Sequence, residues 1–225
     1  MKTLPTFRIR CSAIGQIMTN GRAKDTMGQT CITYLENWVK EQVYSKRKEL
    51  YGNAIMKGTL QEDSAIELLS EVHGFMVKNE RFFENEYMTG TPDILTDIVR
   101  DVKCSQDCFS FPLFESEVDK GYWYQLQGYM SLTGLKKASL DYCLVDSPDF
   151  IIDSDARKEA FKLGLDEVDE ELYNKIKARH SYENTPIELR IKSFAFDYDA
   201  DAIKAIEARV IECRNYIETV LIPKL

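Results

Sequence analysis

Apolar residues along this chain recur with a helical period in some stretches and with a strand-like period of two in others. Residues 9 to 20 predict a short helix with Ser12 as its N-cap and Ile14, Ile17 and Met18 on one face. After a polar loop, residues 30 to 50 predict a long amphipathic helix with Leu35, Trp38, Val39 and Val43 on its apolar side. Residues 57 to 73 follow the same rhythm through Leu60, Ile66, Leu69 and Val72, and Gly74 is placed to end the helix.

The pattern then changes. Residues 82 to 88 predict a strand, and Thr89 to Pro92 a turn. Residues 93 to 95 and 98 to 104 predict a hairpin closed through Thr96 and Asp97. An aromatic-rich helix is expected over 117 to 133, stopped by Gly134, and then a strand over 138 to 146. Residues 154 to 182 are charged and helical in pattern, and 187 to 196 restart as a strand. A last helix over 199 to 221 buries Ile203, Ile206, Val210, Ile217 and Leu221. This order predicts an α/β fold, a mixed β-sheet flanked by helices.

Composition narrows the picture without changing it. The chain has 225 residues, 44% of them hydrophobic, which suits a single domain spanning residues 1–225. No apolar run reaches the length of a membrane span, and residues 1 to 8 lack a signal-peptide core, so a cytoplasmic protein is expected. The six cysteines are scattered and are expected to be free thiols. Cys104 and Cys108 do not have zinc-knuckle spacing. Only His73 and His180 are present, which argues against zinc hydrolase and Ser-His-Asp chemistry. A net charge of −8 argues against a protein that coats nucleic acid with its whole surface, but leaves room for a local basic groove.

The candidate chemistry lies on the hairpin. In a strand over 98 to 104, Asp101 and Lys103 share one face and Val102 takes the other. The hairpin returns Asp93 beside Asp101. Two carboxylates are hard oxygen ligands suited to Mg²⁺ or Mn²⁺, and a neighbouring lysine can orient water or balance charge on a phosphoryl centre. Glu62, upstream on a helix, is a candidate third acid. Gln125 and Tyr129 are four residues apart and share a helix face. Each of these features alone also occurs on ordinary solvated strands and amphipathic helices.

Taken in order, Glu62, Pro92-Asp93, Asp101-Val102-Lys103 and Gln125 with Tyr129 resemble the PD-(D/E)XK nuclease superfamily. The closer resemblance is to the phage lambda exonuclease and YqaJ-type viral recombinase group. Gly58 with Glu62 is similar to its helix motif, Thr91-Pro92-Asp93 to its Ser-Pro-Asp element, and Tyr124 to Gln127 to its Gln-x-Gln helix. Ser12-Ala13-Ile14, following Arg8 and Arg10, resembles the segment that begins such domains. The match covers roughly residues 8 to 146 and leaves about 150 to 225 as a helical and strand extension.

This resemblance implies a restriction-endonuclease-like fold, with Asp93, Asp101 and the Val102 carbonyl holding Mg²⁺, which Mn²⁺ can replace. It implies that Glu62 holds a second metal or a metal-bound water, that Lys103 assists the attacking water, and that Gln125 or Gln127 orients it. It further implies a 5′ to 3′ exonuclease acting on double-stranded DNA ends to leave 3′ tails for recombination. The group would supply a single-strand annealing protein as partner, a ring-shaped homotrimer, and a phage or prophage origin in a bacterial cell. Asp101 stands where the lambda enzyme has Glu, and its phosphate-recognising Arg has no unambiguous counterpart.

Arg8, Arg10, Ser12 and Tyr129 are the candidate DNA-binding residues. Arg22, Lys24, Lys46 to Lys48 and Lys136-Lys137 are further cations, and Tyr122, Trp123 and Phe109 to Phe114 are candidates for base stacking. Two other readings share these residues: a RecB-like or Cas4-like single-strand exonuclease, and a catalytically silent DNA-binding module. The clustered C-terminal cysteines of the Cas4-like form are missing.

Overall fold

A computed structural model of the chain describes residues 4–23, 26–48 and 60–225. Lys24 and Gly58 lie outside the described residues. The N-terminal segment is not one helix. It opens as strand β1 (Ile9–Arg10), tightens into a 3-10 turn (Cys11–Ala13) and continues as a single turn, α1 (Ile14–Ile17). Ser12 makes no capping bond, because Arg10, in extended conformation, occupies the cap position. Helix α2 (Gln29–Tyr44) ends earlier than its apolar pattern suggests, at Ser45 in the left-handed region (φ 52°).

Helix α3 (Glu62–His73) ends at Gly74, φ 86°, as its pattern predicts. Its buried stripe is Ala65, Ile66, Leu68 and Leu69, while Leu60 and Val72 are exposed, as is Val43 at the end of α2. Strands β2 (Phe83–Glu84), β3 (Met88–Gly90), β4 (Ile94–Leu95) and β5 (Val99–Cys104) follow. Helix α4 (Lys120–Thr133) is capped by Asp119 and ended by Gly134. Strand β6 (Lys137–Cys143) comes after it. The charged stretch forms two helices, α5 (Asp149–Leu163) and α6 (Glu170–Arg179). Strand β7 (Ile191–Asp197) and helix α7 (Ala200–Tyr216) complete the order.

The strands form two mixed sheets where the pattern suggested one: β1-β3-β2 and β4-β5-β6-β7. In the larger sheet β5 and β6 are parallel and the outer pairs antiparallel. One face of this sheet, through Val99, Ala138 and Leu140, packs on Leu126 and Met130 of α4 and on Ile203, Ile206 and Val210 of α7. The other face, through Val102 and Cys143, packs on α3. So β7 and α7 belong to the same core as the motif-bearing strands. Helices α5 and α6 pack around a small cluster of their own that includes Ile152, Ala156 and Ile176. No helix among the described residues is long and apolar enough to cross a membrane.

Two close contacts set the geometry near the site. A Cβ on Gly15 would lie 2.8 Å from the Cα of Gly121, so α1 meets the first turn of α4 backbone to backbone. A Cβ on Gly90 would lie 2.6 Å from the Tyr129 ring, so β3 can run directly over α4 into the segment that carries Asp93.

Candidate active site

Strand β4 is short. It pairs with β5 at Ile94–Arg100 and Leu95–Val99, so among the described residues the edge of β5 beyond Arg100 has no neighbouring strand on that side. The Asp93 carboxylate fills the gap: the Val102 N–H donates to Asp93 Oδ2 at 2.7 Å. In a strand, the N–H and C=O of one residue point the same way, so the Val102 carbonyl is directed to the Asp93 side as well. Asn79 holds the Asp93 backbone. Its N–H donates to the Asp93 carbonyl (2.7 Å) and its side chain to the Pro92 carbonyl (2.8 Å). The sequence pattern did not single out Asn79, since an Asn in a loop carries no local signal of what it clamps.

Period-two alternation puts Asp101 and Lys103 together, as expected, with Val102 on the opposite face. Lys103 Nζ lies 2.7 Å from Asp101 Oδ2. Gln125 Nε2, on α4, donates to Asp101 Oδ1 at 2.7 Å and also to the Tyr129 hydroxyl at 3.1 Å. Lys103 Nζ further sits 5.1 Å from the centre of the Tyr122 ring. Asp101 is buried, and its Oδ2 has an ion partner but no hydrogen bond of regular geometry.

Burial pushes the Asp93 carboxyl up to about 7, and the charge of Asp101 adds to the shift, against the Val102 N–H and Lys103. Asp101 is raised too, by burial first, with Asp141 and Glu62 adding to it and Lys103 opposing. Burial alone would lower Lys103, but the Asp101 and Asp93 carboxylates outweigh it and the net shift is upward. Burial therefore makes it costly to ionise both carboxyls beside a single lysine. Two carboxylates, an oxygen left short of a hydrogen bond and a directed main-chain carbonyl form a hard-oxygen donor set that fits a small divalent cation.

Glu62 begins α3 near this edge, and its charge raises both aspartates. Its carboxylate is turned to Lys78, with Nζ to Oε2 at 3.2 Å. Among the described residues no three acidic, His or Cys side chains are arranged to share an ion. Asp93, Asp101 and the Val102 main chain thus adjoin one another, and the Glu62 carboxylate stands beside them, turned to Lys78.

Several candidates move away from the centre. Gln127 is fully buried one side-step round α4. Its amide donates to the Asp197 carbonyl (2.9 Å) and its carbonyl accepts from the Asp199 N–H (2.8 Å), so it ties α4 to the β7–α7 junction rather than orienting water. Of the two glutamines, Gln125 is the one at the site. Tyr129 is buried under Gly90 and supports Gln125, so it is not a DNA-contacting surface residue. Arg8 is engaged by Glu84 at 2.6 Å. Arg10 lies on β1 opposite Thr89, near enough to Tyr34 for its charge to oppose the rise that burial gives the Tyr34 pKa. Ser12 is exposed and lines a cleft of about 390 Å³ with Gly15, Thr19, Lys120 and Tyr124. Lys137 starts β6 beside Val99, at the end of the sheet opposite Lys103, so Lys136-Lys137 is remote from the site. Phe111 is packed against Leu144 and Tyr182, while Phe109 and Phe114 are exposed.

No protein-family model matches the chain, and no curated protein matches it in sequence. Solved structures do match. A phage-related exonuclease from Haemophilus somnus 129PT superimposes with a TM-score of 0.79 at 24% identity, over 98% of both chains. The alkaline exonuclease LHK-Exo from Laribacter hongkongensis gives a TM-score of 0.64 at 15% identity, over 94% of this chain and 88% of that one. Its complex with dAMP gives 0.65 at the same identity. The chain shares the fold of these exonucleases along nearly its whole length.

Proposed function

We propose that this chain is a metal-dependent exonuclease that degrades one strand of linear duplex DNA from its 5′ end and leaves a 3′ single-stranded tail. The observation that carries this reading is the free edge of β5, where Asp93, the Val102 main chain, Asp101, Lys103 and Gln125 converge. The fold shared with two exonucleases supports the same reading.

Asp93, Asp101 and the Val102 carbonyl would hold Mg²⁺, with Mn²⁺ able to replace it; when bound, it neutralises phosphate charge and acidifies water. Lys103 has a raised pKa, so it remains an ammonium at neutral pH and is poorly suited to act as a general base. Its role is to orient the attacking water and to oppose charge building on the phosphoryl oxygens. Gln125 acts by position, fixing Asp101 through Oδ1 so that Oδ2 is presented toward Lys103 and the β5 edge. The Tyr129 hydroxyl, desolvated and beside Asp101, has its pKa raised and stays protonated, and its oxygen accepts a second hydrogen bond from Gln125 Nε2 that helps fix the amide.

The biological setting that fits is recombination, with a single-strand annealing protein as partner and a homo-oligomer, a trimer, enclosing the DNA. The decisive assay incubates the purified protein with Mg²⁺ and linear duplex bearing a 5′ phosphate or a 5′ hydroxyl, with closed circles and single strands alongside. Linear duplex should disappear, faster with the 5′ phosphate, and a chelator should stop the reaction. Cutting of closed circles, or removal from the 3′ end, would overturn the proposal.

A further inference from the structure

The chain carries a net charge of −8, yet four of its cations gather at one end of α2. Ser45 ends that helix in the left-handed region, φ 52°, and turns the chain back on the last turn. Glu41 holds the returning segment twice. The Lys46 N–H donates to its main-chain carbonyl at 3.2 Å, and the Lys48 N–H to its side chain at 3.0 Å. Lys46, Arg47 and Lys48 are thereby folded beside Lys40, and with Tyr44 they line one open cleft of about 330 Å³.

These cations are not arranged like those of the neighbouring helices. On α5 and α7, Lys158, Lys162, Lys204 and Arg209 each face a carboxylate three residues away. In the α2 cleft, none of the four has an ion partner among the described residues, and Glu41 directs its carboxylate to the Lys48 N–H. The helix dipole does not account for them, since it favours cations in the last turn and α2 has no basic residue there. Tyr44, among them, is 70% exposed.

We infer that this cleft binds single-stranded DNA, with the four cations on phosphates and Tyr44 stacked on a base. A local group of unpaired cations on an acidic molecule selects a polyanion. An exposed aromatic ring among them needs an open base face, which a single strand offers and a duplex hides within its stack. Thr30, at the start of α2, lines a cleft with Lys120 and Tyr124 of α4, the helix that carries Gln125. The basic cleft lies at the other end of α2, roughly 20 Å along the axis at 1.5 Å per residue. It is set apart from the hydrolytic centre, so the strand it suits is the one not degraded, the single-stranded tail. That last step rests on the exonuclease reading above, and the binding itself does not.

The test reads binding without turnover. Metal-free full-length protein is titrated into fluorescently labelled oligothymidylate, and anisotropy is followed at several salt concentrations. Lys40, Tyr44, Lys46, Arg47 and Lys48 are exposed, so their variants keep the core intact. Tyr44→Ala should weaken binding by roughly 5- to 150-fold, the range for losing one stacked base, and Tyr44→Phe should hold. An abasic oligomer should bind the wild type and Tyr44→Ala alike. Changing Lys40, Lys46, Arg47 and Lys48 together to Gln should flatten the slope of log affinity against log salt by about 3, at about 0.7 per phosphate contact on a single strand. Glu41→Gln keeps an acceptor for the Lys48 N–H, removes the acid of the cleft and should tighten binding. Unchanged oligothymidylate binding in Tyr44→Ala and in the four-Gln variant overturns the inference. So does an equal loss on blunt duplex in Tyr44→Ala. Polyglutamate competing as well as oligothymidylate also overturns it, and marks the cleft as a site for an acidic protein. Failure to degrade linear duplex, with these binding losses intact, removes the exonuclease reading and leaves the cleft as a single-strand site.

Discussion

Strand β5 carries a buried charge cluster on each face, and the two are built differently. On the α4 face, Asp101 and the adjacent Asp93 share one lysine, and Asp101 Oδ2 is short of a hydrogen bond. On the α3 face, Asp141 of β6 is fully buried and surrounded. Arg100 reaches Oδ2 at 2.8 Å, and the Ser139 and Ser193 hydroxyls donate to Oδ1 at 2.7 and 2.5 Å. The register makes this possible, since Val102, Asp141 and Ser193 stand in line across β5, β6 and β7. A buried charge that is fully paired ties elements together. A buried charge left under-compensated is destabilised and waits for a cation. By this criterion the α4 face is the candidate reactive one and the α3 face the scaffold, where the carboxylate is satisfied and the shortfall falls on Arg100 Nε instead.

The contrast can be broken most sharply at Lys103. Lys103→Ala should lower single-turnover cleavage of an end-labelled linear duplex by at least about a hundredfold, on the scale of losing a transition-state donor. DNA binding, read by fluorescence anisotropy, should change little. Undiminished cleavage would remove Lys103 from the site.

On the opposite face, Asp141→Ala should cost about 3–5 kcal/mol in urea unfolding, because Arg100 is left buried without its partner. Asp101→Asn should cost clearly less in metal-free protein while abolishing activity, since Asn can keep the Gln125 bond and Asp93 still faces Lys103. Equal losses of stability at both positions would erase the distinction between the two faces.

The two glutamines of α4 sharpen it further. Gln127→Ala should lower stability by about 1–3 kcal/mol, since the Asp197 carbonyl and Asp199 N–H lose their partner. Cleavage per folded molecule should hold. Gln125→Ala should instead lower cleavage with the smaller stability loss. The opposite assignment of the two phenotypes would return Gln127 to the site.

The smallest effect is a pH dependence. Asp93 is raised to about 7 in the folded chain from 3.8, so the folded state binds more protons between these values than the unfolded state does. Stability from this group is present below about 4 and is lost as pH rises through about 7. Metal-free protein should therefore melt lower as pH rises across that window, and Asp93→Asn should flatten the slope. Added Mg²⁺ should do the same at the upper end, by favouring the ionised carboxylate.

Much of the site was legible along the chain because its parts are local. Asp101 and Lys103 are two apart on a strand, Asp93 is one short turn away, and Gln125 and Tyr129 are one helical turn apart. Adjacent residues and fixed backbone periods place such groups without knowledge of the rest of the molecule. Gly74 and Gly134 ended their helices as expected for the same reason. The division between Gln125 and Gln127 was not legible, because both face buried surroundings and only the neighbours on each side distinguish them. Lys78 reaches Glu62 from sixteen residues away through a bridge to Ile94, and no local pattern encodes that return.

The sequence by itself determined the acids, the lysine, the face they share and the helices that border them, since these follow from short-range periodicity. Tertiary structure decided that two sheets form, that β4 stops early enough to leave the β5 edge to Asp93, and that Tyr129 lies beneath Gly90. It also decided which charges are paired and which are not. Compensation of a buried charge depends on partners brought from distant segments, and that is settled only when the faces of the sheet are packed.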